Sequence, residues 1–130
     1  MEPLNAELDA LWNQLWGIEN RVNQGETLKL TEEVRDLLLR AAPTVAISDA
    51  EAKEALGDVG SATTLLRRIR ERIRDGSNRL MNALYRMSQL RKKGDLEGAR
   101  QQMRQVLAVE SVPFYREIAE GQLAALDELS

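Results

Sequence analysis

Apolar residues recur every three or four positions in the first part of the chain, the pattern of a helix that buries one face. Six residues with this spacing predict a first helix over about residues 5–24, ended by Gly25: Leu4, Leu8, Leu11, Leu15, Ile18 and Val22. A second apolar face, over residues 34–41, predicts a helix that Thr31 caps. We expect Pro43 to stop this helix, because the residue before a proline is disfavoured in helical geometry.

The longest apolar pattern lies in the middle of the chain. Before it, Ser48 and Glu51 have the spacing of a capping box and predict a short third helix. From Val59 to Leu90, apolar residues then alternate at spacings of three and four for more than four heptads. The pattern continues through Gly76, although a central glycine costs about 1 kcal/mol relative to alanine. We therefore expect one long helix, about 45–50 Å in length.

Two further helices complete the predicted fold. Gly94 ends the long helix, Asp95 caps a helix over about residues 96–110, and Pro113 suits the first turn of a last helix. Short turns join all of these elements. The predicted fold class is all-α, an elongated helical bundle of five or six helices around one long central helix. At 130 residues, the length favours a single domain, residues 1–130.

The chain lacks several of the side chains that enzymes use most often for catalysis. The chain has no cysteine and no histidine, so it lacks a thiol nucleophile, the usual general base near neutral pH and the commonest metal ligand. Glycines are scattered and form no phosphate-binding loop. We expect a protein without enzymatic activity, cofactor or metal.

The location of the protein is predicted from the same composition. No apolar stretch approaches the roughly 20 residues of a membrane span, and the acidic N-terminus does not resemble a secretory signal. The absence of cysteine is natural in a reducing compartment. We expect a cytoplasmic protein that does not bind membranes.

Charge is distributed unevenly along the chain. Residues 61–94 carry ten basic and two acidic side chains, whereas the flanking segments are acidic. Five arginines are concentrated in one part of the long helix: Arg67, Arg68, Arg70, Arg72 and Arg74. If exposed, they would attract phosphate and point to nucleic-acid or anion binding. The favoured interpretation is that the acidic helices neutralise them within the fold, because no recognition helix or aromatic stacking platform accompanies them.

Two other features are candidate binding sites. Trp12 lies at the edge of the apolar face of the first helix, and Trp16 lies one step farther round, half outside it. Tryptophan is enriched at binding hot spots, so these two residues are the predicted contact for a protein partner or a second copy. The start of the long helix, residues 60–64, could hold an anion on its free N–H groups. A plain helix cap at Ser61 is the favoured interpretation there.

Much of the chain resembles a known family. The segments that carry the resemblance are GETLKLTEEVRDLLLRAAPTVAIS, LLRRIRERIRDGSNRL and RKKGDLEGARQQMRQVLAVESVPFYREIAEGQL. They are similar to the DUSAM domain family, small paralogous proteins of myxobacteria with no assigned activity. The resemblance implies a bacterial, cytoplasmic, lineage-restricted protein. It supplies no catalytic residue.

These observations lead to two hypotheses about function. The first is a non-catalytic helical protein–protein interaction module, an adaptor, a regulator or a neutralising partner. It acts through Trp12 and Trp16 or through the long central helix, and it can form a homodimer. The alternative is a nucleic-acid or anion-binding regulator that uses the arginine-rich central helix. Strong salt dependence of binding would favour the alternative, and sensitivity to Trp16→Ala would favour the first.

Overall fold

The computed structural model describes the backbone of residues 3–129 and the side chains of residues 6–129, and in this part of the chain all regular structure is helical. Six α-helices follow one another: α1 Pro3–Asn23, α2 Glu32–Thr44, α3 Asp49–Ala55, α4 Val59–Lys92, α5 Leu96–Val109 and α6 Pro113–Glu128. The prediction of an all-α fold with one long helix is confirmed. Helix α4 has 34 residues and continues without a break through Gly76.

The chain divides into two compact units. The N-terminal unit extends to Arg72 and contains α1, α2, α3 and the first part of α4. The C-terminal unit begins at Ile73 and contains the rest of α4 with α5 and α6. The boundary therefore lies inside a helix, so helix caps and turns in the sequence could not mark it.

The core of the N-terminal unit contains the apolar faces that the sequence predicts. Leu15 of α1, Leu38 of α2 and Leu66 of α4 are completely buried, and so are the small residues Ala41 and Ala42 of α2. Burying one leucine side chain contributes about 1.5–3 kcal/mol, so this face stabilises each helix more than its intrinsic propensity does.

The prediction that Pro43 stops the second helix is wrong, because the helix continues through the proline. Ala42 keeps helical geometry and α2 ends at Thr44, with Pro43 inside its last turn. Proline there removes only its own N–H, while Ala42 is buried completely and its carbonyl accepts the N–H groups of Val45 and Ile47. Packing and these bonds outweigh the local preference. The chain then turns at Ala46, which has a positive φ of 63°.

Caps at the predicted positions fix the start of α2, α3 and α5. The side chains of Thr31, Ser48 and Asp95 each accept the backbone N–H three residues on. At Ser48 only half of the predicted capping box forms, because the carboxylate of Glu51 pairs with Arg68 at 2.9 Å. Helix α6 begins at Pro113 without a side-chain cap.

In the C-terminal unit, α5 and α6 pack against each other most extensively, and α6 also approaches α4 closely at Gly76. Tyr115 of α6 is buried, and its hydroxyl donates to the carbonyl of Ile73 at 3.1 Å. Its ring lies against Gly76, where a side chain would meet the ring atom Cδ2 at 2.5 Å. Gly76, which the sequence marks only as a weak point in a helix, is the place where α6 contacts α4.

Candidate interaction surfaces

The two tryptophans of α1 have different environments. Trp12 is 8% exposed, and its Nε1 donates to Thr44 Oγ1 at 3.1 Å. Thr44 in turn donates to the carbonyl of Ala41, so Trp12 links α1 to the end of α2. Trp16, one turn later, is 55% exposed. Trp12 therefore supports the fold, and Trp16 presents its indole to solvent.

The nearest neighbours of Trp16 on the solvent side of α1 are uncharged, and the acidic neighbour Glu19 is buried in its pair with Arg70. Asn13 is exposed, Gly17 and Asn20 are half-buried, and a side chain added at Gly17 would meet no atom within 4 Å. We call Trp16 and these three residues the Trp16 patch. It combines one large aromatic ring with two amides and open space beside the backbone. Such a surface can lie flat against another protein without leaving a charge unpaired.

Two of the five predicted arginines form ion pairs with acidic side chains of the N-terminal unit. Arg70 donates to Glu19 of α1 at 3.2 Å, and both side chains are nearly buried. Arg68 pairs with Glu51 of α3, and both are well exposed. The first pair attaches α4 to α1 in a protected environment, whereas the second is screened by water and contributes little.

The other three arginines are arranged differently. Arg72 donates to the carbonyls of Val45 at 2.7 Å and Ala46 at 3.2 Å, where α2 ends and its carbonyls lack helical partners. Arg67 and Arg74 are exposed, and neither forms an ion pair with the part of the chain that the structure describes. The structure thus separates the five arginines: three are used within the N-terminal unit and two face solvent.

The candidate anion site at the start of α4 is already occupied by a carboxylate of the chain. Asp58 caps the helix, accepting the backbone N–H of Ser61 at 2.8 Å and its hydroxyl at 3.0 Å. The Ser61 backbone N–H is the main cause that lowers the pKa of Asp58, and the hydroxyl adds to it. The expectation that Ser61 is the cap is wrong, because α4 begins earlier, at Val59, and Asp58 caps it while Ser61 lies inside the first turn as a donor.

Two clefts of the N-terminal unit bring no reactive groups together in a catalytic arrangement. One, of about 360 Å³, includes Glu51, Glu54 and Arg68 among its lining residues, and Arg68 neutralises Glu51 as described above. The other, of about 300 Å³, lies where the loop between α1 and α2 meets both helices, and its lining mixes aliphatic side chains with polar ones, among them Arg21, Glu26 and Lys29. A general acid at neutral pH needs a raised carboxyl pKa, whereas hydrogen bonding lowers the pKa of Asp58 and also of Glu97, which binds Arg104 and Gln101.

The sequence interpretation missed a row of exposed residues on the second half of α4. Met81 and Tyr85 are 64% and 67% exposed, one turn apart on the side opposite the buried face. Arg74, Asn78 and Lys92 lie on the same side at spacings of three, four or seven residues. We call these five residues the α4 outer stripe. Their spacing is visible in the sequence. However, the apolar pattern of the buried face is longer and more regular, so it dominates any interpretation of this helix from sequence.

Two kinds of feature, a membrane span and a metal site, are absent from the described residues. Among the described residues, no helix combines the length and apolarity needed to cross a membrane. The same part of the chain brings no three acidic, histidine or cysteine side chains together as a metal site would require.

Comparison with known proteins identifies a family. A family model described as "Protein of unknown function (DUF2379)" matches residues 10–126, nearly the whole chain. The chain belongs to this family. No curated protein and no solved structure matches it.

Proposed function

We propose that this member of the DUF2379 family is a non-catalytic helical interaction module that binds another protein through Trp16. The observation that carries the proposal is the 55% exposure of Trp16, one turn after a tryptophan that the fold buries. Covering the exposed part of an indole stabilises a complex by about 2–3 kcal/mol. Trp12 supports this role indirectly, because it fixes α1 against α2 and keeps the Trp16 patch on a rigid element.

The kind of protein and its place in the cell are proposed from the composition and from the family resemblance. A chain without cysteine and histidine suits an adaptor, a regulator or a neutralising partner better than an enzyme. We further propose that the family is the DUSAM family of myxobacteria and that the protein acts in the bacterial cytoplasm. The partner is a protein, or a second copy of this chain in a homodimer.

Nucleic-acid or anion binding is the second candidate function. The observation that favours it is the exposure of Arg67 and Arg74, which form no ion pair within the described chain. The engagement of Arg68, Arg70 and Arg72 within the N-terminal unit weighs against it, because fewer cations are left to neutralise phosphates.

Substitution of Trp16 by alanine tests the two functions against each other. Affinity capture from the native cell with wild-type protein should yield a protein that survives nuclease and 0.5 M salt. With Trp16→Ala its recovery should fall at least tenfold, because truncation of an aromatic hot spot costs about 2 kcal/mol or more. Stability should change by less than about 0.5 kcal/mol, since the side chain is on the surface.

Leu129→Ala is the matched control, because Leu129 is 51% exposed and belongs to the other unit. It should leave recovery unchanged. Equal recovery with Trp16→Ala would remove the Trp16 proposal. Nuclease-sensitive capture that is lost in the Arg67→Gln/Arg74→Gln variant would establish the nucleic-acid alternative in its place.

A further inference from the structure

The α4 outer stripe combines an apolar centre with a cation at each end. Met81 and Tyr85 form the centre, and Gln89 Nε2 donates to the Tyr85 hydroxyl at 2.6 Å, holding the ring along the helix. Arg74 lies two turns before Met81, and Lys92 lies two turns after Tyr85. At 1.5 Å per residue, the two cations are about 27 Å apart along the axis.

The two cations of the stripe form no ion pair within the described part of the C-terminal unit. The arginines that form ion pairs there are others: Arg79 with Glu110, Arg100 with Glu97 and Asp127, and Arg104 with Glu97. Arg74 and Lys92 are exposed and make no ion pair within the described residues. The ion pairs of the unit thus use other basic residues and leave Arg74 and Lys92 beside an uncovered apolar centre. Asp75, next to Arg74, is exposed and also forms no ion pair within the described residues.

Charge repulsion disfavours a second copy of this protein binding to the stripe through its own stripe. Antiparallel pairing that stacks Met81 on Tyr85 places Arg74 opposite Lys92, because both pairs are symmetric about position 83. Parallel pairing in register places each cation opposite itself. Like charges directly opposite each other are destabilising, so self-pairing through the stripe brings repulsion at both ends.

We propose that the α4 outer stripe is a second docking surface, independent of Trp16, for an acidic amphipathic helix of a partner protein. The partner helix lies along α4, covers Met81 and Tyr85 with apolar side chains and places carboxylates near Arg74 and Lys92. Nucleic acid fits less well, because its phosphates repeat every few ångströms and would meet no cation between the two ends of the stripe. Helix-in-groove recognition of this kind uses apolar anchors at spacings of three and four residues.

Selection from a display library of helical 25-residue peptides, panned on the full-length protein, tests this proposal. The expected binders carry apolar residues in the middle and acidic residues about 18 positions apart. Their affinity should fall at least tenfold in Met81→Ala/Tyr85→Ala. In Arg74→Gln/Lys92→Gln it should fall several-fold and lose most of its salt dependence, because the charge pairs are removed.

Val109→Ala is the matched control, because Val109 is 64% exposed in the same unit but lies on α5. Trp16→Ala should bind the selected peptides as the wild type does, which separates this surface from the proposed function. The proposal fails if selection yields no binders, or if binders lack an acidic bias or tolerate Met81→Ala/Tyr85→Ala. It also fails if sedimentation shows self-association through the stripe, or if a fluorescent dT20 oligonucleotide binds there instead.

Discussion

Replacing Gly76 by alanine should destabilise the protein by about 2 kcal/mol, although the same change in most helices is stabilising. Alanine has a helix propensity about 1 kcal/mol better than glycine. At this position, however, the new methyl group would lie 2.5 Å from Tyr115 Cδ2 and 2.9 Å from Glu110 Oε1. Tyr115 is buried and bonded to Ile73, so its ring cannot move away without losing contacts. Overpacking of this kind typically costs about 1–3 kcal/mol and here also disturbs a buried carboxylate.

Urea titration of the Gly76→Ala variant, monitored by far-ultraviolet circular dichroism, measures this effect. Gly121→Ala is the matched control, because Gly121 lies inside α6 and a side chain there meets nothing within 4 Å. It should stabilise the protein by about 0.5–1 kcal/mol. If the two variants had equal stability, the close approach of α6 to α4 at Gly76 would be wrong.

Replacing Glu110 by alanine should cost about 2–4 kcal/mol. Its side chain is only 2% exposed and accepts three donors: Arg79 at 2.7 Å, the Val112 N–H at 3.0 Å and the Ser111 N–H at 3.2 Å. Alanine leaves the buried Val112 N–H without its acceptor and removes the anion beside Arg79. Each unsatisfied buried group costs about 1–3 kcal/mol. The partial exposure of Arg79 reduces its share, because water can solvate the guanidinium once the partner is gone.

Two further variants locate the cause of that loss. Glu110→Gln should cost less than Glu110→Ala, since the amide oxygen still accepts an N–H although the charge is lost. Glu120→Ala, an exposed position of α6, should change stability by less than about 0.5 kcal/mol. Unfolding free energies from the same titration check all three. A Glu110→Ala protein as stable as Glu120→Ala would contradict the buried network.

Most of the helices could be predicted because their signals are local. Thr31, Ser48 and Asp95 each cap a helix through a bond to an N–H only three residues away, and the chain reverses at Gly25 and Gly94, where φ is positive. Interactions of this range depend on a few neighbouring residues, so the sequence shows them directly.

The errors arise where two causes compete. Pro43 is a local stop signal, but the burial of Ala42 and its hydrogen bonds to the following turn accompany a helix that continues through Pro43 to Thr44. At the start of α4, Asp58 and Ser61 are both good caps, and nothing in the spacing alone shows which one the chain uses. The sequence cannot weigh these alternatives without knowing what each residue packs against.

The candidate sites could be predicted only in part. The position of Trp16 on α1 follows from helical geometry, and its exposure agrees with that position. The partners of the arginines could not be foreseen in detail, because Arg70 and Glu19 are 51 residues apart and Arg72 binds main-chain carbonyls. In the sequence, Gly76 is only a residue of low helix propensity inside a long helix. Its role is clear only from the structure, where Tyr115, 39 positions later, lies against it.

Photo-crosslinking in the native cell shows directly whether another protein is recognised at Trp16. A benzophenone amino acid is placed at position 16, where the native side chain is 55% exposed, and, as a control, at position 109, where it is 64% exposed. We expect a discrete nuclease-resistant protein adduct from position 16 that position 109 does not produce. Adducts that nuclease removes, or the same faint background from both positions, would contradict recognition at Trp16.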